Sequence, residues 1–125
     1  MPYDIAFVEM PDMLRVEVSG ERNMNDAIDL WKKVSEESKK LGKYRVLAIL
    51  EVTGSFSVGQ VYYLAANYRD YGLTIRHQLA IVDKQVESLS NMEFASVVAS
   101  NRGLSMRAFS DTGQAIKWLG ASSNN

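Results

Sequence analysis

The chain has 125 residues, 46% hydrophobic and 23% charged, with no cysteine, one histidine and a formal net charge of −1. That length and composition suit one soluble globular domain and exclude a disordered chain, a coiled coil and a collagen-like repeat. The balanced charge gives no electrostatic footprint for nucleic acid or an anionic membrane, and the missing thiols exclude disulfides, zinc–thiolate sites and iron–sulfur clusters.

Tyr3 to Met10 mixes β-branched and aromatic residues and predicts a strand, followed by a turn at Pro11-Asp12. Leu14, Val16 and Val18 alternate with Arg15, Glu17 and Ser19, which predicts a second strand with one polar face, paired antiparallel to the first. Gly20 to Asn23 reads as a loop. The recurrence of Ala27, Leu30, Trp31, Val34, Ser38 and Leu41 predicts a helix over 25–41, capped by Asn25 or Asn23 and stopped by Gly42. Tyr44 to Val52 lacks alternation, as a central parallel strand buried on both faces does.

Ser57 to Tyr71 reads as a second helix ended by Gly72, and Ile75 to Asp83 as the next strand. A third helix is expected from Ser90 to Asn101, then a short strand from Ser105 to Phe109. Asp111 and Gln114 have capping-box spacing for a last helix that Gly120 ends. Strands alternating with helices imply parallel crossovers. The expected fold is therefore α/β, in the order β-β-α-β-α-β-α-β-α. It has five strands ordered 1-2-3-4-5, the first antiparallel, and helices weighted to one side. A single domain over 1–121 and a frayed polar tail over 122–125 are expected. No signal peptide or membrane span is legible, so a cytoplasmic protein is expected.

Ligands of open α/β sheets bind outside the carboxyl ends of the strands. That edge gathers Gly20–Arg22, Thr53–Ser57, Asp83–Gln85 and Ser110–Thr112. His77 belongs near the start of its strand, at the opposite edge, as a partly buried or surface strand histidine. No serine stands with it as a nucleophile, so catalytic residues are not expected. Glu51 and Asp83 could approach the ligand edge, but two scattered acids are more often loop residues or caps. Neither a metal site nor a cofactor is expected; phosphate-binding glycine motifs are missing.

Val52 to Tyr68 contains no charged residue, whereas a surface helix ordinarily has a charged outer face. Val58, Val61, Ala65 and Tyr68 form one helical stripe, with Phe56, Tyr62 and Tyr63 beside it. The segment is either core or a functional surface, and tyrosines suit a half-wet contact. The candidate partner or apolar-ligand surface is Phe56, Val58, Tyr62, Tyr63 and Tyr68. Charge is also segregated: residues 1–31 carry seven acids and two bases, residues 32–45 six bases and two acids. A solvated helix face explains this best; a basic contact at Lys39, Lys40, Lys43 and Arg45 is the weaker alternative.

The stretches YRVLAILEV-TGSFS-VGQVYYLA and ASNRGLSMRAFSDTGQAIKWL, in this element order, resemble the STAS superfamily over nearly the whole chain. The resemblance is to the SpoIIAA-like fold of anti-sigma-factor antagonists. It runs closest to a bacterial branch of small stand-alone proteins grouped with CRAL-TRIO-type lipid-transfer domains. It implies a non-catalytic interaction or regulatory domain or, alternatively, a carrier or sensor of a small apolar, lipid-like ligand. A protein partner, a homodimer or an apolar ligand would then be the binding partner. In the antagonists a serine in Asp-Ser-Ser-Gly, opening the helix after the central strand, is a phosphoacceptor that switches kinase binding. Here no such motif stands; Ser57, two residues before Gly59, is the nearest positional match and Ser55 the next. Neither is expected to be modified.

Overall fold

The computed structural model describes residues 3–121, and the expected tail at 122–125 lies outside them. Five strands and four helices alternate along the chain: β1 (Asp4–Glu9), β2 (Leu14–Glu21), α1 (Met24–Leu41), β3 (Arg45–Thr53), α2 (Val58–Ala66), β4 (Gln78–Asp83), α3 (Leu89–Asn101), β5 (Ser105–Phe109) and α4 (Thr112–Ala121). The sheet order is β1-β2-β3-β4-β5, with β1 antiparallel to β2 and the other pairs parallel. This is the architecture expected.

The apolar pattern divides the sheet into two faces. Val16, Val18, Ala48, Leu50, Leu79 and Ile81 face one side and pack with Leu30 and Val34 of α1. A layer of α2 and α3, built on Val61, Ala65, Ala95, Val98 and Ala99, continues that side. On the other side Leu47, Ile49, Ala80 and Val82 pack with Met13 and with Ala115 and Leu119 of α4. Helices are thus weighted three to one, and α4 is anchored further by Trp118, whose ring lies 5.8 Å from that of Phe109.

Local chemistry sets the boundaries. Asn23 caps α1, its side-chain oxygen accepting from the Asp26 N–H at 3.2 Å, and Gly42 closes the helix in the left-handed region at φ 68°. Ser57 and Gln60 form a reciprocal capping box at the start of α2.

Several boundaries differ from the expectation. The presumed loop at Gly20 and Glu21 is strand, because β2 stays in register with β3 as far as Glu21 opposite Thr53. Gly20 can occupy its place at φ 134° with the Tyr3 ring against it, where a Cβ would stand 3.2 Å from that ring. The helix expected through Tyr71 ends at Ala66. There the Asn67 side chain and backbone N–H both donate to the Tyr63 carbonyl, and a 3-10 turn, Tyr68–Tyr71, follows. The strand expected from Ile75 starts at Gln78, since His77 N–H turns back to the Thr74 carbonyl at 3.0 Å. A 3-10 turn, Val86–Ser88, precedes α3, which starts one residue earlier than expected. Gly120 lies within α4 instead of ending it.

Candidate functional site

The carboxyl edge of the parallel strands holds a buried ion pair. Arg22 follows β2 directly, and its backbone N–H extends the ladder to the Thr53 carbonyl at 2.9 Å. Its Nη2 donates to Asp83 Oδ2 at 2.7 Å, with the two side chains 3% and 0% exposed. Nη1 is shared among the Gly54 carbonyl at 3.0 Å, Gln85 Oε1 at 3.3 Å and the Val52 carbonyl at 3.4 Å. The other carboxylate oxygen of Asp83 accepts from the Gln85 N–H at 3.0 Å. One guanidinium thereby joins the ends of β2, β3 and β4. Such a pair is stable in a dry site only when further hydrogen bonds support it, and here Nη1 and the second carboxylate oxygen both have partners.

Beneath this pair, between the sheet and α1–α3, lies an apolar cavity of about 80 Å³. Leu50, Leu79 and Ile81 form its floor, Leu30 and Trp31 one wall, and Val61, Ala65, Met92 and Ala95 the opposite wall. Arg22 is its only charged lining residue among the described residues. Tyr71 also lines it; its hydroxyl is buried and has no hydrogen-bond partner. Burial raises the Tyr71 pKa, helped by the neighbouring Tyr63 and Asp70, to about 12. The loop over the cavity, between β3 and α2, is held by Arg22 at Gly54 and by Asn91, whose side chain donates to the Phe56 carbonyl at 3.3 Å.

The residues singled out from the sequence separate into three groups. Val58, Tyr62 and Tyr63 are exposed on α2, Tyr63 at 51%, and the Tyr62 hydroxyl accepts from Arg102 Nη2 at 2.8 Å. Phe56 is half-buried and lines the cavity. Tyr68 does not belong to the surface: it is buried and its hydroxyl donates to the Arg102 carbonyl, because the 3-10 turn swings it inward. The expected stripe breaks at its start too, since Val58 projects into solvent while Val61 and Ala65 are buried. Ser57 and Ser55 are both exposed at the head of α2, with the Ser57 hydroxyl accepting from the Gln60 N–H. In the basic stretch Lys43 is spent locally, on the carbonyls of Met10 and Pro11 and on Glu9 at 3.3 Å.

Asp83 is neither loop residue nor cap but the buried partner of Arg22, while Glu51 is exposed. His77 lies at the amino edge, as expected, yet outside the strand and 1% exposed, a correction to a partly buried or surface strand histidine. Its Nδ1 accepts from the Thr74 N–H at 3.0 Å, which leaves the ring proton on a buried, unpartnered Nε2. Desolvation lowers its pKa, with Lys39 and Arg76 adding to the effect and the Thr74 hydrogen bond opposing it. Tyr44 packs edge-on against the ring at 4.9 Å.

The sequence pattern brings Arg22 and Asp83 to the same edge without pairing them. The available signal was an acid ending the apolar run Leu79–Val82, where only a buried cation could balance it. Ser57-x-x-Gln60 was likewise a legible capping box.

Among the described residues no helix is long and apolar enough to cross a membrane. No protein-family model matches the chain, and no curated protein matches it in sequence. Among solved structures, the chain is similar to an uncharacterized protein from the DUF3478 family with a SpoIIAA-like fold, from Shewanella loihica. The two share 16% identity over 94% of each chain, with a TM-score of 0.49. The likeness is one of fold alone.

Proposed function

We propose that this domain is a non-catalytic binding module that takes up a small, mostly apolar molecule in the cavity between the sheet and α1–α3. The observation that carries the reading is the cavity itself. Well-packed cores leave few voids larger than a water molecule. This one, at about 80 Å³, is several times the roughly 10–15 Å³ a single water needs, and an apolar lining gives water little to bond. It is about half the ~150 Å³ of a cavity that admits benzene. A small ring therefore fits once flexible side chains such as Met92 and Met106 yield, and a long acyl chain does not.

The lining supports a non-catalytic role. Arg22 and Asp83 neutralise each other, and the remaining wall is apolar or aromatic. A regulatory role fits the same geometry. The α2 helix supplies cavity wall through Val61 and Ala65 and presents Val58, Tyr62 and Tyr63 outward, so a molecule beneath it bears on an exposed aromatic face.

Xenon is the direct probe. Under xenon pressure, amide and methyl NMR signals of Leu79, Ile81, Ala65 and Ala95 are expected to shift with saturation. The same shifts should vanish in Ala65→Leu, which fills the space. Shifts scattered over the surface, or none at these residues, would refute the reading.

A further inference from the structure

The cavity narrows the chemistry of its occupant, a conclusion that rests on the proposed function above. We infer that the ligand is an uncharged molecule carrying a single hydrogen-bonding group, and that the Tyr71 hydroxyl is what recognises that group.

Two observations lead there. The first is that charge has no place in the wall. Arg22 is the only charged lining residue among the described residues, and its two terminal nitrogens bond Asp83, Gln85 and the carbonyls of Val52 and Gly54. An anion entering the cavity would meet a guanidinium already neutralised. A cation would meet an Asp83 carboxylate already holding Arg22 and the Gln85 N–H. Either would be desolvated without a counter-ion, which is costly in an apolar site.

The second is that one residue of the wall carries an unspent polar atom. Tyr71 is 6% exposed, and its hydroxyl is the only buried polar side-chain atom of the described lining without a partner. The other two such atoms in the described residues, on His77 and Ser88, are not part of the lining. Most buried hydroxyls in folded proteins are hydrogen-bonded, and an exception calls for a partner. The backbone of the turn that carries Tyr71 lies close against α1: Gly72, which ends the turn, packs so tightly on Ser35 that a Cβ there would collide with the serine hydroxyl. Held well above its ordinary pKa by burial, the phenol stays protonated at neutral pH and can both donate and accept. Its complement is a carbonyl, an ether or a hydroxyl on an otherwise apolar molecule.

The test uses four probes of similar size: benzene, toluene, phenol and benzoate, titrated against the protein by NMR. Wild type is expected to bind phenol at least as tightly as toluene, although water holds phenol more strongly, and to bind benzoate at least tenfold more weakly. Tyr71→Phe should weaken phenol at least fivefold and leave benzene within twofold. The same variant should melt no lower than wild type, because it removes an unsatisfied hydroxyl. Toluene binding wild type more tightly than phenol would overturn the inference, a comparison that does not depend on any variant folding. So would an unchanged phenol affinity in Tyr71→Phe, or a clear loss of stability there, which would mark the hydroxyl as structural. In those cases benzene binding leaves the cavity reading intact. If neither benzene nor phenol perturbs the cavity residues, the cavity reading itself fails.

Discussion

The two faces of the sheet are built to different standards. Against α4, small and branched side chains close completely: Leu47, Ala80, Val82, Ala115 and Leu119 have no solvent exposure. Against α1–α3 the apolar layer is larger but incomplete, and a void of about 80 Å³ remains. At roughly 24 cal/mol per Å³, leaving it empty costs about 2 kcal/mol. That is a substantial part of the ~5–15 kcal/mol by which a domain is stable. The single-helix face therefore holds the sheet, while the three-helix face gives up some packing for internal space.

The largest expected effect lies where the two standards meet. Asp83→Ala leaves the Arg22 guanidinium buried without its counter-ion and is expected to cost about 3–5 kcal/mol in urea melts. Replacing both partners, Arg22→Met with Asp83→Leu, should recover most of that loss. A double variant as unstable as the single one would show that the pair is more than mutual neutralisation.

Alanines on the two faces give the sharpest contrast. Ala115→Leu on the closed face is expected to cost about 1–3 kcal/mol through overpacking. Ala65→Leu, on the cavity wall, should be neutral or stabilising. Equal losses at both sites would abolish the distinction between the faces.

A smaller effect comes from His77, on the amino edge. Its pKa is lowered in the folded protein, so the unfolded chain binds its proton more readily. Its contribution is intact above the unfolded value near ~6.5 and is lost as pH falls from there toward the folded value, at no more than about 1.4 kcal/mol per pH unit. Melts at pH 7.5 and 5.5 should show a smaller drop for His77→Gln than for wild type. Equal drops would assign the acid sensitivity to other groups. The smallest effect is expected at Tyr63→Glu, an exposed position on α2 that should stay within ~0.5 kcal/mol of wild type.

Much of this was legible in the chain. Alternation in Leu14–Val18 located the polar face of β2, and the unbroken apolar run Val46–Leu50 located the sheet centre. Asp111 and Gln114 announced α4, where the Gln114 N–H does bond the Asp111 carboxylate. What local pattern could not carry was competition and distance. Asn67 ends α2 by bonding the Tyr63 carbonyl, a choice that propensity alone does not reveal. Tyrosines serve equally inside and outside, so the uncharged segment gave no means of separating buried Tyr68 from exposed Tyr62 and Tyr63. Arg22 and Asp83 stand 61 residues apart and meet only once three strands are in register. The cavity is a difference between surfaces that touch and surfaces that nearly do, and composition holds no record of it.

That 61-residue separation also bears on the order in which the molecule assembles. The hairpin of β1 and β2 closes a short loop, and each later strand adds beside its predecessor, so most pairings join near neighbours in the chain. The guanidinium bridge cannot form until β4 has docked on β3, after the cost of closing the longer loop has been met. Asp83→Asn should therefore accelerate unfolding while leaving the refolding rate nearly unchanged, the signature of a contact absent from the transition state. On that account the bridge acts as a latch on the finished domain, and the lifetime of the native state, more than the speed of reaching it, depends on a single arginine.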